Sequence, residues 1–213
     1  MAVSIERLKF LRFFTPGIMC FLFIIVFGRS TGVYSIDFPN SLKDLDQTLV
    51  VLCLAFLYQL FPFREWSNYF FKNEIIENIK NKMNDIYPGT APNLSEDAIM
   101  YIFYSFVDND ESLRVHMKFA YFNGYLWSSV ADFRALCLIF CVVSLLSGFF
   151  SPEDVFNANA VAYLFLVVFS CFLSRRITSR HLKISDTQMR IIKIFHKDDL
   201  VKMMDKVSVD SSN

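Results

Sequence analysis

The sequence predicts an all-α integral membrane protein, with four transmembrane helices arranged as two hairpins and a helical cytoplasmic region. Three observations predict it. Four stretches of the chain carry no charged side chain, positive charge collects in alternate segments between them, and no alternating β pattern persists anywhere.

The uncharged stretches are 13–28, 47–63, 135–152 and 155–174. Crossing the ~30 Å hydrocarbon core takes about 20 apolar residues. The first two stretches are short for this, and the flanking Arg12, Arg29 and Arg64 can snorkel to make up the length. A water-soluble helix of such length would show a polar stripe, which these lack. Arg7, Lys9 and Arg12 precede the first stretch as a signal peptide's basic region would. The stretch ends at Gly28-Arg29-Ser30 without a small-x-small cleavage pattern, so it reads as a retained span. Pro16 lies near its start, where a first-turn proline needs no N–H partner.

Charge sets the direction. Lys and Arg number three before the first stretch, two in the loop 29–46 (Arg29 and Lys43), seven in 64–134 and nine from Arg175 onward. The short loop at Glu153 and Asp154 has none. Alternate segments thus hold 19 of the 21 cations, which places both termini and the middle segment in the cytoplasm. The resulting organisation is a cytoplasmic tail 1–12, a hairpin 13–63, a cytoplasmic helical segment 64–134, a second hairpin 135–174 and a cytoplasmic helix and tail 175–213. The expected location is the cell inner (plasma) membrane.

Within the middle segment, 64–84 has helical spacing through Ile75, Ile76 and Ile79 and should stop before Pro88-Gly89. Ser95 is placed to cap a second helix with Glu96 and Asp97 in its first turn. Its apolar stripe is Ile99, Ile102, Phe103 and Phe106, and Asp108-Asn109-Asp110 should end it. A third helix starts near Glu111 and runs into the third stretch, with Gly124 marking a bend or a close helix contact. Ser185-Asp186 is expected to cap a final helix with Met189, Ile192, Phe195 and Val201 on one side.

Formal net charge is zero, so no bulk field draws nucleic acid, and none is expected as a direct partner. Cys20, Cys53, Cys137, Cys141 and Cys171 all sit in apolar stretches, which leaves no disulfide framework in the soluble segments and no metal knuckle. His116, His181 and His196 are not spaced as a metal set. No cofactor, no metal and no catalytic residue is expected. Arg176 to His181 reads R-x4-H and Arg190 to His196 reads R-x5-H. Either is similar to the R-x4–6-H signature of HEPN ribonucleases, which would imply an Arg on phosphate and a His in proton transfer. Arg176 has the simpler reading of a charge marking the end of a span.

In size, span count and topology the chain resembles small bacterial membrane proteins of anti-phage defence loci, such as the four-span membrane subunit of Kiwa systems. The resemblance covers the whole chain, including the stretch from Arg134 to Gly148. It implies a non-enzymatic membrane sensor or effector that self-associates and couples to a cytoplasmic protein. Membrane-type bacteriocin immunity proteins have similar spans but less cytoplasmic chain. Candidate partner contacts are Trp66, Tyr69, Phe103, Phe106, His116, Tyr121 and Trp127. Candidate contacts to anionic membrane lipid are Arg175, Arg176 and Arg180. A channel or pore subunit is the alternative, with Gln59, Ser144, Ser147 and Ser170 lining a polar path on the axis of a homo-oligomer.

Overall fold

The computed structural model describes residues 5–33, 45–151 and 153–210. Lys43, Pro152 and Asn213 lie outside the described residues. Among those described, all regular structure is helical: α1 (Ile5–Thr31), α2 (Leu45–Gln59), α3 (Phe63–Ile86), α4 (Glu96–Asn109), α5 (Glu111–Phe150), α6 (Asp154–Phe195) and α7 (Lys197–Asp210). Three of them, α1, α5 and α6, are long and apolar enough to cross a membrane. The end of α2 and the start of α3 supply a fourth if that bent pair is one span.

The chain forms two compact units: Met1–Tyr69 with Tyr125–Arg175, and Phe70–Gly124 with Arg176–Asn213. The helices α3, α5 and α6 each contribute residues to both. The first unit therefore takes in 64–69 and 125–134, which charge counting assigned to the cytoplasmic segment.

In the first unit α1 packs on α2 through Phe21, Ile25 and Val51. Gly17 makes this approach possible, since a Cβ there would lie 2.7 Å from the Ala55 Cβ. A second cluster joins Phe27, Phe140, Phe156 and Tyr163. Along α6 the buried positions Phe156, Ala160, Tyr163, Ser170 and Ser174 follow helical spacing. The opposite face exposes Val161, Leu164, Phe165, Val168, Phe169 and Phe172. This arrangement leaves large apolar side chains outward where a soluble helix carries charge, as expected of a surface facing lipid.

The second unit has the larger buried core. Its core gathers Ile79, Met83 and Ile86 of α3, Ile99, Ile102, Phe103 and Phe106 of α4, and Leu113 and Met117 of α5. Met189 and Ile192 of α6 and Leu200 and Met204 of α7 close it. The expected punctuation is present. The helix α3 ends at Ile86, two residues before Pro88, and Gly89 takes the positive φ of 89° that its turn needs. The Ser95 side chain accepts the Ala98 N–H at 3.2 Å and caps α4. Asp110 follows α4 and caps α5, accepting the N–H groups of Ser112 and Leu113 at 2.7 and 3.0 Å.

Four expectations need correction. Pro16 stands inside α1, not in its first turn, because the helix already begins at Ile5. The stretch 47–63 is not one straight helix: it breaks at Leu60-Phe61-Pro62, and the segments Thr48–Gln59 and Phe63–Tyr69 are bent by 55°. Ser185 does not start a helix, since α6 runs through it and its hydroxyl donates back to the Leu182 carbonyl at 2.9 Å. The break comes instead at His196, which leaves Phe195 72% exposed while Leu200 and Met204 are buried. A side chain at Gly124 would meet only open space, so that glycine serves no close contact, and α5 runs through it.

Candidate functional site: the Asp132 clamp

The most concentrated polar chemistry in the first unit surrounds a helix break. At the end of α2, Leu60 and Phe61 make tight N–H bonds back to the carbonyls of Leu57 and Tyr58 at 3.2 and 3.3 Å. Pro62 has no N–H to give. The next bond runs from the Trp66 N–H to the Pro62 carbonyl at 2.9 Å. Among the described residues no backbone hydrogen bond ties Phe63, Arg64 or Glu65 to the turn before Pro62. The main chain by itself therefore leaves the bend angle loosely determined.

Side chains determine it. Asp132 of α5 is completely buried. One of its oxygens accepts the Tyr58 hydroxyl at 3.1 Å and the Arg64 Nε at 2.8 Å. The other accepts Arg64 Nη2 at 2.8 Å. Tyr58 precedes the break and Arg64 follows it, so one carboxylate holds both sides. The Arg64 contact is bidentate, the strongest and most directional form of this pair. Arg64 Nη2 also donates to the Arg12 carbonyl of α1 at 2.9 Å. In a regular helix that carbonyl would bond the N–H of residue 16, which Pro16 lacks.

A second arginine extends the cluster. Arg134 is 4% exposed, yet it is charged and two residues from Asp132. Its Nε donates to the Ser67 hydroxyl at 3.0 Å, its Nη1 to the Ser174 hydroxyl at 2.7 Å, and its Nη2 to Asn68 Oδ1 at 3.0 Å. Nη2 also reaches the Ser67 carbonyl. Ser67 in turn donates to the Ala131 carbonyl at 2.9 Å. The five-donor fork of Arg suits this multiplicity, and Lys could not reproduce it. Together the two arginines link α1, α3, α5 and α6, and Tyr58 joins α2 to them through Asp132. The carboxylate already accepts three donors, so the cluster is equipped to hold helices, not to move protons. A cavity of about 210 Å³ opens beside it, lined by Tyr58, Gln59, Leu60, Phe61, Pro62, Arg64 and Glu65.

The residues singled out from sequence lie elsewhere. Trp66 and Tyr69 are 75% and 67% exposed on the part of α3 in the first unit, and Trp127 is partly buried on α5 in the same unit. His116 is partly buried and Tyr121 exposed in the second unit. Phe103 and Phe106 are core residues of the second unit, at 4% and 7% exposure, so they pack α4 and offer no docking surface. Arg175, Arg176 and Arg180 are all exposed along α6. Ser144 and Ser170 are completely buried, Ser147 is partly buried and Gln59 is exposed, so these four side chains do not share one surface of the single chain.

Two of the three histidines, His181 and His196, have structural partners. His181 Nδ1 meets Asn123 Nδ2 at 3.1 Å, while Arg176 is exposed. His196 Nε2 meets Asp110 Oδ2 at 2.8 Å and its ring packs against Phe106. Among the described residues no group of three or more His, Cys, Asp or Glu is placed to hold a metal ion.

Reading the sequence missed Asp132, Arg134, Arg64 and Tyr58. A signal was present. Arg64 is the first charge after one uncharged stretch, and Asp132 and Arg134 are the last before another. Charges at those positions mark span ends, and an acidic residue among them is out of keeping with a purely topological role. No known protein family, curated protein or solved structure matches this chain.

Proposed function

We propose that this chain is a non-enzymatic, multi-pass protein of the inner membrane that crosses it four times with both termini in the cytoplasm. Its spans form the lipid-embedded part of a homo-oligomer, and its helical second unit recruits a cytoplasmic protein. The role that best fits this build is the membrane sensor or effector subunit of an anti-phage defence system. The carrying observation is the outward apolar face of α6 in the first unit, together with a large buried core in the second. The first unit turns Val161, Leu164, Phe165, Val168, Phe169 and Phe172 outward. The second unit buries Ile102, Leu113, Ile192 and Leu200 in a core of its own, as a domain in water does. Trp66, Tyr69, Arg175, Arg176 and Arg180 then contact the headgroup layer, where aromatic and cationic side chains are favoured.

Two experiments test the reading. Reporter fusions after Thr31 and after residue 210 should report opposite sides of the membrane, and the same side for both would remove the topology. Expression of the chain with its neighbouring genes in a bacterial host should lower phage plaquing. Plaquing unchanged by deletion of this chain would remove the defence role. The broken α2–α3 segment, with a cavity at its break, also supports a permeation subunit, because irregular backbone at membrane depth characteristically lines cavities. Reconstituted liposomes that show no leak would count against that alternative.

A further inference from the structure

We infer that the α2–α3 break is a clamped hinge, and that the Asp132 carboxylate is the removable pin that sets its angle. This inference stands whether or not the defence role holds. Three observations carry it.

The first is the sparse main chain at Leu60-Phe61-Pro62. With no backbone bond from Phe63, Arg64 or Glu65 to the preceding turn, rotation there breaks no helical ladder. The second is convergence. Tyr58 and Arg64 lie on opposite sides of the break, yet both bond Asp132, which belongs to a different helix. A carboxylate needed only for local neutralisation of Arg64 would not also take the hydroxyl from the far side. The third is space. The cavity at the break, about 210 Å³, gives Gln59, Leu60 and Phe61 room to rearrange.

The hinge is also tied to α1, because Arg64 caps the Arg12 carbonyl. Releasing Asp132 therefore frees the bend and loosens the hold of α3 on α1 together. The paired Gly17 and Ala55 keep α1 and α2 in contact meanwhile, so the two move as one hairpin about the break. The result is an element with two arrangements, a bent one with the carboxylate engaged and an open one without it. Such an element is what any ligand or partner must bias to switch a protein.

The test places spin labels on Leu49 of α2 and Trp66 of α3, both exposed, in the full chain with its five cysteines replaced, reconstituted in lipid nanodiscs. Wild type should give one narrow interlabel distance. Asp132→Asn should broaden the distribution and add a second distance. Tyr58→Phe, which removes only the bond from the α2 side, should broaden it less. Exchange of the pair, Arg64→Asp with Asp132→Arg, should narrow it again. Should Asp132→Asn fail to fold, Tyr58→Phe and Arg64→Lys decide alone. A distribution that stays narrow and unshifted in every variant that folds would overturn the hinge.

Discussion

Arg64 on α3 bonds the main-chain carbonyl of Arg12 on α1, the acceptor that Pro16 leaves open. A proline inside a helix normally costs stability by removing one hydrogen bond and crowding the preceding turn. Here the lost donor is replaced from another helix. Returning an N–H at position 16 should make that replacement redundant. In a double-mutant cycle of thermal unfolding in detergent, Arg64→Lys is expected to cost less in a Pro16→Ala background than in wild type, by about 1 kcal/mol. Equal costs in both backgrounds would mean that the bond carries no energy.

Arg134 gives a second prediction. Its head is buried against Ser67, Asn68 and Ser174. Truncation to Ala would leave several buried acceptors without a donor, at roughly 1–3 kcal/mol for each one unsatisfied. Arg134→Ala should therefore lose most of its folded yield, and Arg134→Lys should recover only part of it. Size-exclusion profiles after mild detergent extraction read both. A Lys variant as stable as wild type would contradict the fork geometry.

The glycines should separate cleanly. At Gly17 an added methyl would lie 2.7 Å from the Ala55 Cβ, so Gly17→Ala should force α1 and α2 apart and lower the unfolding temperature. At Gly148 it would lie 3.3 Å from Asn157 Oδ1 and Phe156 Cβ, a tight but tolerable fit. At Gly124 it would meet nothing, so Gly124→Ala should stabilise by up to ~1 kcal/mol through helix propensity alone. The order Gly124, Gly148, Gly17, from gain to loss, is the outcome to check.

Asp110 supplies a pH dependence. The Ser112 hydroxyl first, then His196 and the Leu113 N–H, hold its carboxyl well below the usual carboxylate range. A carboxylate depressed in the folded state stabilises at pH values above its unfolded pKa, near ~3.9, and that contribution disappears as pH falls through the folded value. Protection of the Leu113 amide against hydrogen exchange should therefore drop as pH is lowered below ~4. In Asp110→Asn the drop should be absent. An unchanged pH profile in the variant would show that the α5 cap does not depend on this charge.

The two kinds of structure were unequally legible in the sequence. The cap at Ser95, the stop before Pro88-Gly89 and the start of α5 near Glu111 all rest on interactions within a few residues, and all stand where local rules put them. The hydrophobic stripe of α4 was equally plain, but its use was misassigned. Phe103 and Phe106 look the same in sequence whether they face a core or a partner, and only their burial distinguishes the two. Likewise Ser185-Asp186 has the form of a helix cap, but α6 was already formed through it, and a serine hydroxyl inside a helix finds a carbonyl one turn back. The polar cluster was illegible for a different reason. Tyr58, Arg64 and Asp132 meet across 68 to 74 residues of chain, and no local pattern encodes such a meeting.

The amino-acid sequence by itself determined that the chain is helical and that long stretches of it have no charge to offer water. Those properties are local: they follow from side-chain composition and from the obligation of the backbone to bond within itself in an apolar medium. Tertiary structure decided which charges leave the surface and what they hold. Asp132 and Arg134 are buried because distant hydroxyl, amide and guanidinium groups arrive to satisfy them, and a buried charge persists only where such partners converge.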